Sequence, residues 1–143
     1  MLATDASSNL ALIPGTDWGM ISMETKILII EDDPVGLRYI RFTLEKHGYQ
    51  VITAGNGLEG LRKARTEEPD LVILDVMLPG MDGYEICHRL RAEPATARLP
   101  ILMFSARSQD KDKAVGRQVG ADDYLTKPAE PSEIIRRVES LLS

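Results

Sequence analysis

Five short apolar runs, each followed by an amphipathic stretch, constrain this chain more than any other feature. The runs cover residues 27–30, 50–54, 71–74, 101–104 and 124–126. Four of them are rich in Ile, Val and Leu with no polar alternation. That is the pattern of parallel strands covered on both faces, because a strand with one wet face alternates. The intervening stretches carry helix signals. Asp33 is placed to cap the first, with Pro34 at its first position and Gly48 closing it after His47. Leu37, Ile40, Phe42 and Leu44 are expected to form its inward stripe. The second is predicted over 58–67, stopping before Pro69. The third spans 82–92 with Tyr84, Ile86, Cys87 and Leu90 as apolar members. The fourth spans 110–119 and ends at Gly120, and the last spans 132–142. Strand–helix repetition of this kind predicts an α/β fold, a doubly wound parallel sheet with right-handed crossovers.

Composition narrows the setting. At 143 residues, 43% hydrophobic and 27% charged, the chain suits one domain hiding roughly 68–70% of its unfolded surface. Its 17 Lys+Arg against 22 Asp+Glu give a net charge of −5, so no basic field points to direct contact with nucleic acid or anionic lipid. Cys87 is the only cysteine, which excludes an internal disulfide framework and a cysteine-based zinc site. The longest apolar runs fall far short of the roughly 18 residues a membrane helix needs. The first residues lack the basic start and long apolar stretch of a secretory signal. A cytoplasmic domain with no membrane partner is expected.

Residues 1–24 differ from the rest, mixing Thr, Asp, Ser, Asn, Gly and Pro with one apolar patch at 10–13 and the single tryptophan, Trp18. No period is sustained there. This segment is expected to be a flexible N-terminal extension, the alternative being an arm that docks Leu12, Ile13 and Trp18 on a partner. The domain proper is expected over 25–143.

In a doubly wound sheet, ligands bind beyond the carboxyl ends of the strands, where strand order reverses. The first strand ends in Glu31-Asp32-Asp33, the third in Asp75, the fourth in Ser105 and the fifth in Thr126-Lys127-Pro128. Carboxylates gathered in one crevice raise one another's pKa unless a cation sits among them. Oxygen-only ligation points to Mg²⁺, which keeps several waters that a phosphate can displace. With Lys127 and the Ser105 hydroxyl opposite, the set has the parts of a phosphoryl-transfer site, with a carboxylate as nucleophile. Asp33, before Pro34, reads as a cap only. Asp75 does not, because the next helix begins near Asp82.

The segments ILIIEDDP, LVILDVMLPGMDGYE, PILMFSAR and GADDYLTKP resemble the four signature segments of bacterial response-regulator receiver domains, and the resemblance runs over residues 26–142. It implies a flavodoxin-like (βα)₅ fold with strand order 2-1-3-4-5. It implies that Asp75 accepts a phosphoryl group from a phosphohistidine, and that Asp32, Asp75 and the Met77 backbone carbonyl ligate Mg²⁺ directly, with Glu31 acting mainly through water. Ser105 and Lys127 would contact the phosphoryl oxygens, and Ser105 and Tyr124 would form the switch. The Lys127–Pro128 bond would be cis. The implied partner is a histidine kinase or phosphotransfer protein. The run LPGMDGYEICHRLR and the Met77/Arg107 pair are similar to receivers of winged-helix transcription factors, which dimerise through the fourth helix, fifth strand and fifth helix. Ala129 and Ser132 depart from that subgroup. Such a domain catalyses only its own phosphorylation and slow dephosphorylation. It can stand alone or form part of a larger regulator or hybrid kinase. The competing reading is a phosphorylation-independent interaction module of the same fold.

Other signals carry less. Residues 55–60 spell G-x-G-x-x-G, nominally a dinucleotide fingerprint, but they do not follow the first strand, and Asp75 lies only 15 residues beyond Gly60. A phosphatase using an aspartate nucleophile would need a second Asp where Met77 stands. His47 and His88 read as surface residues, Cys87 as packing, and Arg136-Arg137 as a solvated face of the last helix.

Overall fold

The computed structural model describes residues 25–143, so the expected N-terminal extension lies outside the described residues. Five strands, β1 (Lys26–Ile30), β2 (Gln50–Ala54), β3 (Leu71–Leu74), β4 (Ile101–Ser105) and β5 (Asp123–Thr126), alternate with α1 (Pro34–Lys46), α2 (Gly57–Thr66), α3 (Gly83–Ala92), α4 (Asp110–Val119) and α5 (Pro131–Leu142). All pairings are parallel, in the order β2-β1-β3-β4-β5. The order reverses between β1 and β3, so the loops after those strands flank the crevice.

Period-two geometry explains the unbroken apolar runs. In β1, Leu28 and Ile30 join one core with Val72, Leu74, Ile101 and Met103, under Leu61, Ile86, Cys87 and Leu90 of α2 and α3. Ile27 and Ile29 join the other with Leu71, Ile73, Leu102 and Phe104, under Ile40 and Leu44 of α1 and Ile134, Ile135 and Val138 of α5. Both faces of the central strands are dry, so residues 27–30, 71–74 and 101–104 are all apolar.

Local signals behave as the sequence suggests. The Asp33 side chain accepts the Gly36 N–H at 3.1 Å and caps α1, with Pro34 inside its first turn. Asn56 accepts the Glu59 N–H at 2.9 Å and caps α2, which accounts for the glycine-rich run at 55–60 as a helix start. Gly120 takes φ 108° to close α4, a conformation that suits glycine.

Two expectations are corrected. Phe42 is not part of the inward stripe of α1 and is 66% exposed. At 100° per residue it lies about 200° from Ile40, so Leu37, Ile40 and Leu44 face the core without it. Arg137 is not simply solvated. Its Nη1 donates to both carboxylate oxygens of Asp123, at 2.9 and 3.0 Å, and its Nε donates to Glu133 at 2.8 Å. It thus ties α5 to the start of β5, while Arg136 stays exposed.

Candidate functional site

Each strand delivers its last residues to one rim. The Glu31 N–H extends the ladder by donating to Ala54 O (3.0 Å), and the Asp75 N–H donates to Ile30 O (3.2 Å). These bonds bring the acidic residues after β1 beside the one after β3. Among the described residues, Glu31, Asp32 and Asp75 form a group whose carboxylate oxygens lie within 4.8 Å of one another. Glu31 and Asp75 are buried, whereas Asp32 faces solvent.

Lys127, just past β5, reaches across the sheet into this group. Its Nζ donates to Glu31 Oε1 at 2.5 Å and to Asp75 Oδ2 at 3.1 Å. A bond from the Lys127 N–H to Ser105 O (2.8 Å) sets its backbone, and its ammonium stands 5.4 Å from the centre of the Phe104 ring, a favourable placement for a cation. The Lys127–Pro128 bond is cis. Glu31 is held at both oxygens, because Oε2 accepts the Asp33 N–H at 3.0 Å. Asp75 Oδ1 accepts the Met77 N–H at 3.0 Å.

The electrostatics follow from this packing. Burial raises the Glu31 carboxyl above its ordinary value, against the lowering by Lys127 and the Asp33 N–H, while the charge on Asp75 adds to the rise. For Lys127, burial works against the charge, but the hydrogen bond to Glu31 and the charges of Asp75 and Glu31 outweigh it and raise the ammonium. Three carboxylates with one lysine leave an excess of two negative charges when all are ionised. An oxygen-only donor set with that excess fits a small divalent cation such as Mg²⁺.

The remaining predicted side chains lie on β4, on β5 and in the loops after β3 and β4. Ser105 ends β4, fully buried and in register with Thr126, and its Oγ accepts the Arg107 N–H at 3.2 Å. The half-buried Tyr124 donates its hydroxyl to Arg107 O at 2.8 Å. The Met77 side chain is 53% exposed on the rim. Arg107 turns toward α4, with Nη1 3.7 Å from Asp112 Oδ1. Phe104 beneath Lys127 and the Asp33 N–H on Glu31 were not legible as site features. The first looks like any core strand residue, and the second is a backbone group without a side-chain signal.

A family model described as the response regulator receiver domain matches residues 27–139. This chain belongs to that family. The receiver is a signalling domain of two-component systems, and its relatives agree with that class. Over 120 residues the chain is 47% identical to the alkaline phosphatase synthesis transcriptional regulatory protein PhoP of Bacillus subtilis, covering 84% of this chain and 49% of that protein. It is 36% identical to the protein PilH of Pseudomonas aeruginosa, covering 82% of this chain and 98% of that protein. The chain thus spans about half the length of PhoP and nearly all of PilH. Among solved structures, the chemotaxis protein CheY4 of Vibrio cholerae matches with a TM-score of 0.79 at 32% identity, over 82% of this chain and 98% of that one. The receiver domain of the sensor histidine kinase PA1611 of Pseudomonas aeruginosa matches with a TM-score of 0.78 at 31% identity, over 82% of this chain and 97% of that one. That structure holds a magnesium ion in its active-site cleft. Among the described residues of this receiver, no helix is long and apolar enough to cross a membrane.

Proposed function

We propose that Asp75 accepts a phosphoryl group from the phosphohistidine of a histidine kinase or phosphotransfer protein. The observation that carries this reading is the Asp75 carboxylate at the end of β3, set between the Lys127 ammonium and the acidic pair Glu31 and Asp32. An Asp75 oxygen attacks phosphorus in line, and the electron pair of the breaking N–P bond returns to an imidazole already protonated on its other nitrogen, which leaves neutral. Met77 N–H holds Oδ1, so the attacking carboxylate is oriented before the donor arrives, which saves ordering at the transition state. Lys127 already bonds Oδ2 and follows the charge onto the phosphoryl oxygens. Asp32, Asp75 and the Met77 carbonyl would hold Mg²⁺, with Glu31 engaged by Lys127 and Asp33 and acting through water. The ion would neutralise charge on the equatorial oxygens.

Ser105 and Lys127 then bind the new phosphoryl oxygens. Drawing Ser105 toward them disturbs the Arg107 N–H on its hydroxyl, and with it the loop whose carbonyl Tyr124 holds. The change reaches α4, β5 and α5, the surface on which a partner or a second copy docks. The reading places the domain in the cytoplasm, makes it a switch that turns over only its own phosphoryl group, and gives it no direct contact with nucleic acid. Incubation of the wild type and Asp75→Asn with acetyl phosphate and Mg²⁺, followed by intact mass measurement, tests it. The wild type should gain one phosphoryl group and the variant none. Equal labelling of both, or of neither, overturns the assignment and favours a phosphorylation-independent interaction module.

A further inference from the structure

Helix α4 is attached to the domain in an unusual way. Helices α1, α2, α3 and α5 each bury two or more apolar side chains, whereas the buried residues of α4 are Asp112 and Gly116. Gly116 permits a close approach, because a Cβ there would stand 3.0 Å from Tyr124 Cδ2 and 3.1 Å from Met103 Sδ. Val119 packs half-buried on the core at the far end of α4, so it is the start of the helix, with no buried apolar side chain, that depends on polar ties to its neighbours.

Those ties come largely from α3. Asp82 caps α3 by accepting the Glu85 N–H at 2.9 Å, and this starts the helix so that Ile86, Cys87 and Leu90 face the core. Tyr84, three residues before Cys87, then lies on the edge of that face. Its hydroxyl crosses to α4 and donates to Asp112 O at 2.9 Å. Asp112 in turn closes the first turn of α4, with Oδ2 accepting the Gln109 N–H at 3.1 Å. At the far end, Cys87 Sγ lies 3.4 Å from Val119 O. The two hydroxyls Tyr84 and Tyr124 thus hold consecutive stretches of one segment, Tyr124 the loop at Arg107 and Tyr84 the helix start at Asp112.

We infer that Tyr84 is a positioning residue for the switch: its hydroxyl latches the first turn of α4 and sets how readily phosphorylation releases that helix. This rests on the reading of Asp75 as phosphoacceptor. The Tyr84 hydroxyl is suited to act as a lasting donor, since burial first, then Tyr124, pushes its pKa up to about 12. Tyr124 is likewise raised by burial and pulled back by the Tyr84 and Ser105 hydroxyls, so the latch adjoins the residues that respond to the phosphoryl group. When Ser105 moves and the Tyr124 bond to the loop breaks, the Tyr84 bond still ties the helix start to α3. Coupling between two sites is reciprocal, so a latch that resists release of α4 also resists phosphorylation of Asp75, a residue Tyr84 does not bond.

The test is Tyr84→Phe in the full chain, which keeps the ring and removes only the hydroxyl. Amide exchange over 110–116 in the unphosphorylated protein should quicken about fivefold, the equivalent of about 1 kcal/mol for one neutral hydrogen bond. The affinity for beryllofluoride with Mg²⁺, an equilibrium mimic of the aspartyl phosphate, should rise by a similar factor. Thr96→Val serves as the control: it removes a buried hydroxyl-to-carbonyl bond at the other end of α3 (Thr96 to Leu90, 2.7 Å) and should leave both readings unchanged. Faster exchange with an unchanged beryllofluoride affinity would reduce Tyr84 to a structural tie and overturn the inference. So would a variant equal to the wild type in both readings, or a control that reproduces the effect. If the wild type itself takes no phosphoryl group, the phosphoacceptor reading fails, and the inference built on it fails with it.

Discussion

The Lys127 ammonium and the buried Glu31 carboxylate form an ion pair across the rim, 2.5 Å apart, and the same ammonium bonds Asp75. Burial alone would push a proton onto Glu31, and Lys127 opposes this. The lysine is raised, so its contribution to stability is complete below the ordinary lysine range and is lost only as pH rises through its elevated folded value. At neutral pH Lys127 is charged and bonds both carboxylates.

Lys127→Ala should therefore cost about 1–3 kcal/mol at neutral pH. That is below the usual penalty for breaking a fully buried pair, because the Lys127 side chain keeps 23% of its exposure and is partly screened. Added Mg²⁺ should recover part of the loss by compensating the same carboxylates. Urea unfolding with and without Mg²⁺ measures both effects. The variant should still accept some phosphoryl group but fail to pass the change to α4, which hydrogen exchange on the phosphorylated form reads out. A wild-type response in α4 would remove Lys127 from the relay.

The three carboxylates should contribute unequally to metal binding. Glu31 is committed at both oxygens, to Lys127 and to the Asp33 N–H, while Asp32 is exposed at the mouth of the group. Mg²⁺ binding should be weak in the absence of phosphate, since the ion gives up its waters reluctantly. Asp32→Ala should lower the affinity about tenfold or more, and Glu31→Gln by less. Calorimetric titration of the two variants decides the point, and undiminished affinity in Asp32→Ala would contradict the ligand assignment.

Gly83 fixes the loop that carries Asp75. A Cβ on this residue would stand 2.3 Å from Asp75 O and 2.7 Å from Val76 Cα, and backbone cannot yield as a side-chain tip can. Gly83→Ala should destabilise by about 2 kcal/mol, because the clash outweighs the roughly 1 kcal/mol gained in helix propensity. It should also slow phosphorylation by displacing the acceptor. At Gly55 an added Cβ meets nothing within 4 Å, so Gly55→Ala should change stability by no more than about 0.5 kcal/mol. Thermal denaturation of both variants compares the two.

The contrast between Ile40 and Phe42 shows what the sequence could and could not convey. Buried parallel strands write themselves as unbroken apolar runs, and helix caps such as Asp33 and Asn56 write themselves as single residues at fixed offsets. The rim followed from these, since every strand end in a parallel sheet faces the same way. Side chains whose role depends on angle or reach were not legible. Phe42 is apolar yet points outward. Arg137 looks like a surface charge but grips Asp123, and Arg91 donates to Gly120 O, Leu99 O and Asp122 from 8 to 31 residues away in sequence. Tyr84 reads as one more apolar helix residue until its hydroxyl is seen on α4. Such links depend on where two elements meet, which local pattern does not encode.

The lifetime of the aspartyl phosphate depends on how water reaches phosphorus opposite the Asp75 oxygen. We propose that two side chains act on this approach, each two residues past a rim residue: Met77 after Asp75 and Arg107 after Ser105. Met77 is exposed on the rim and offers no hydrogen bond to orient a water. Arg107 ends in a guanidinium, which has hydrogen-bond donors and no acceptor, and it turns toward Asp112. Neither supplies a base, so self-dephosphorylation should be slow. In the Met77→Asn, Arg107→Glu double variant the water gains an amide and a carboxylate as partners. Hydrolysis should quicken by about tenfold, below the range typical of a fully positioned general base. Loss of the phosphoryl mass over time, after the donor is removed, measures the rate. If the double variant decays as the wild type does, access to phosphorus is governed elsewhere, and the flanking residues have no part in the lifetime.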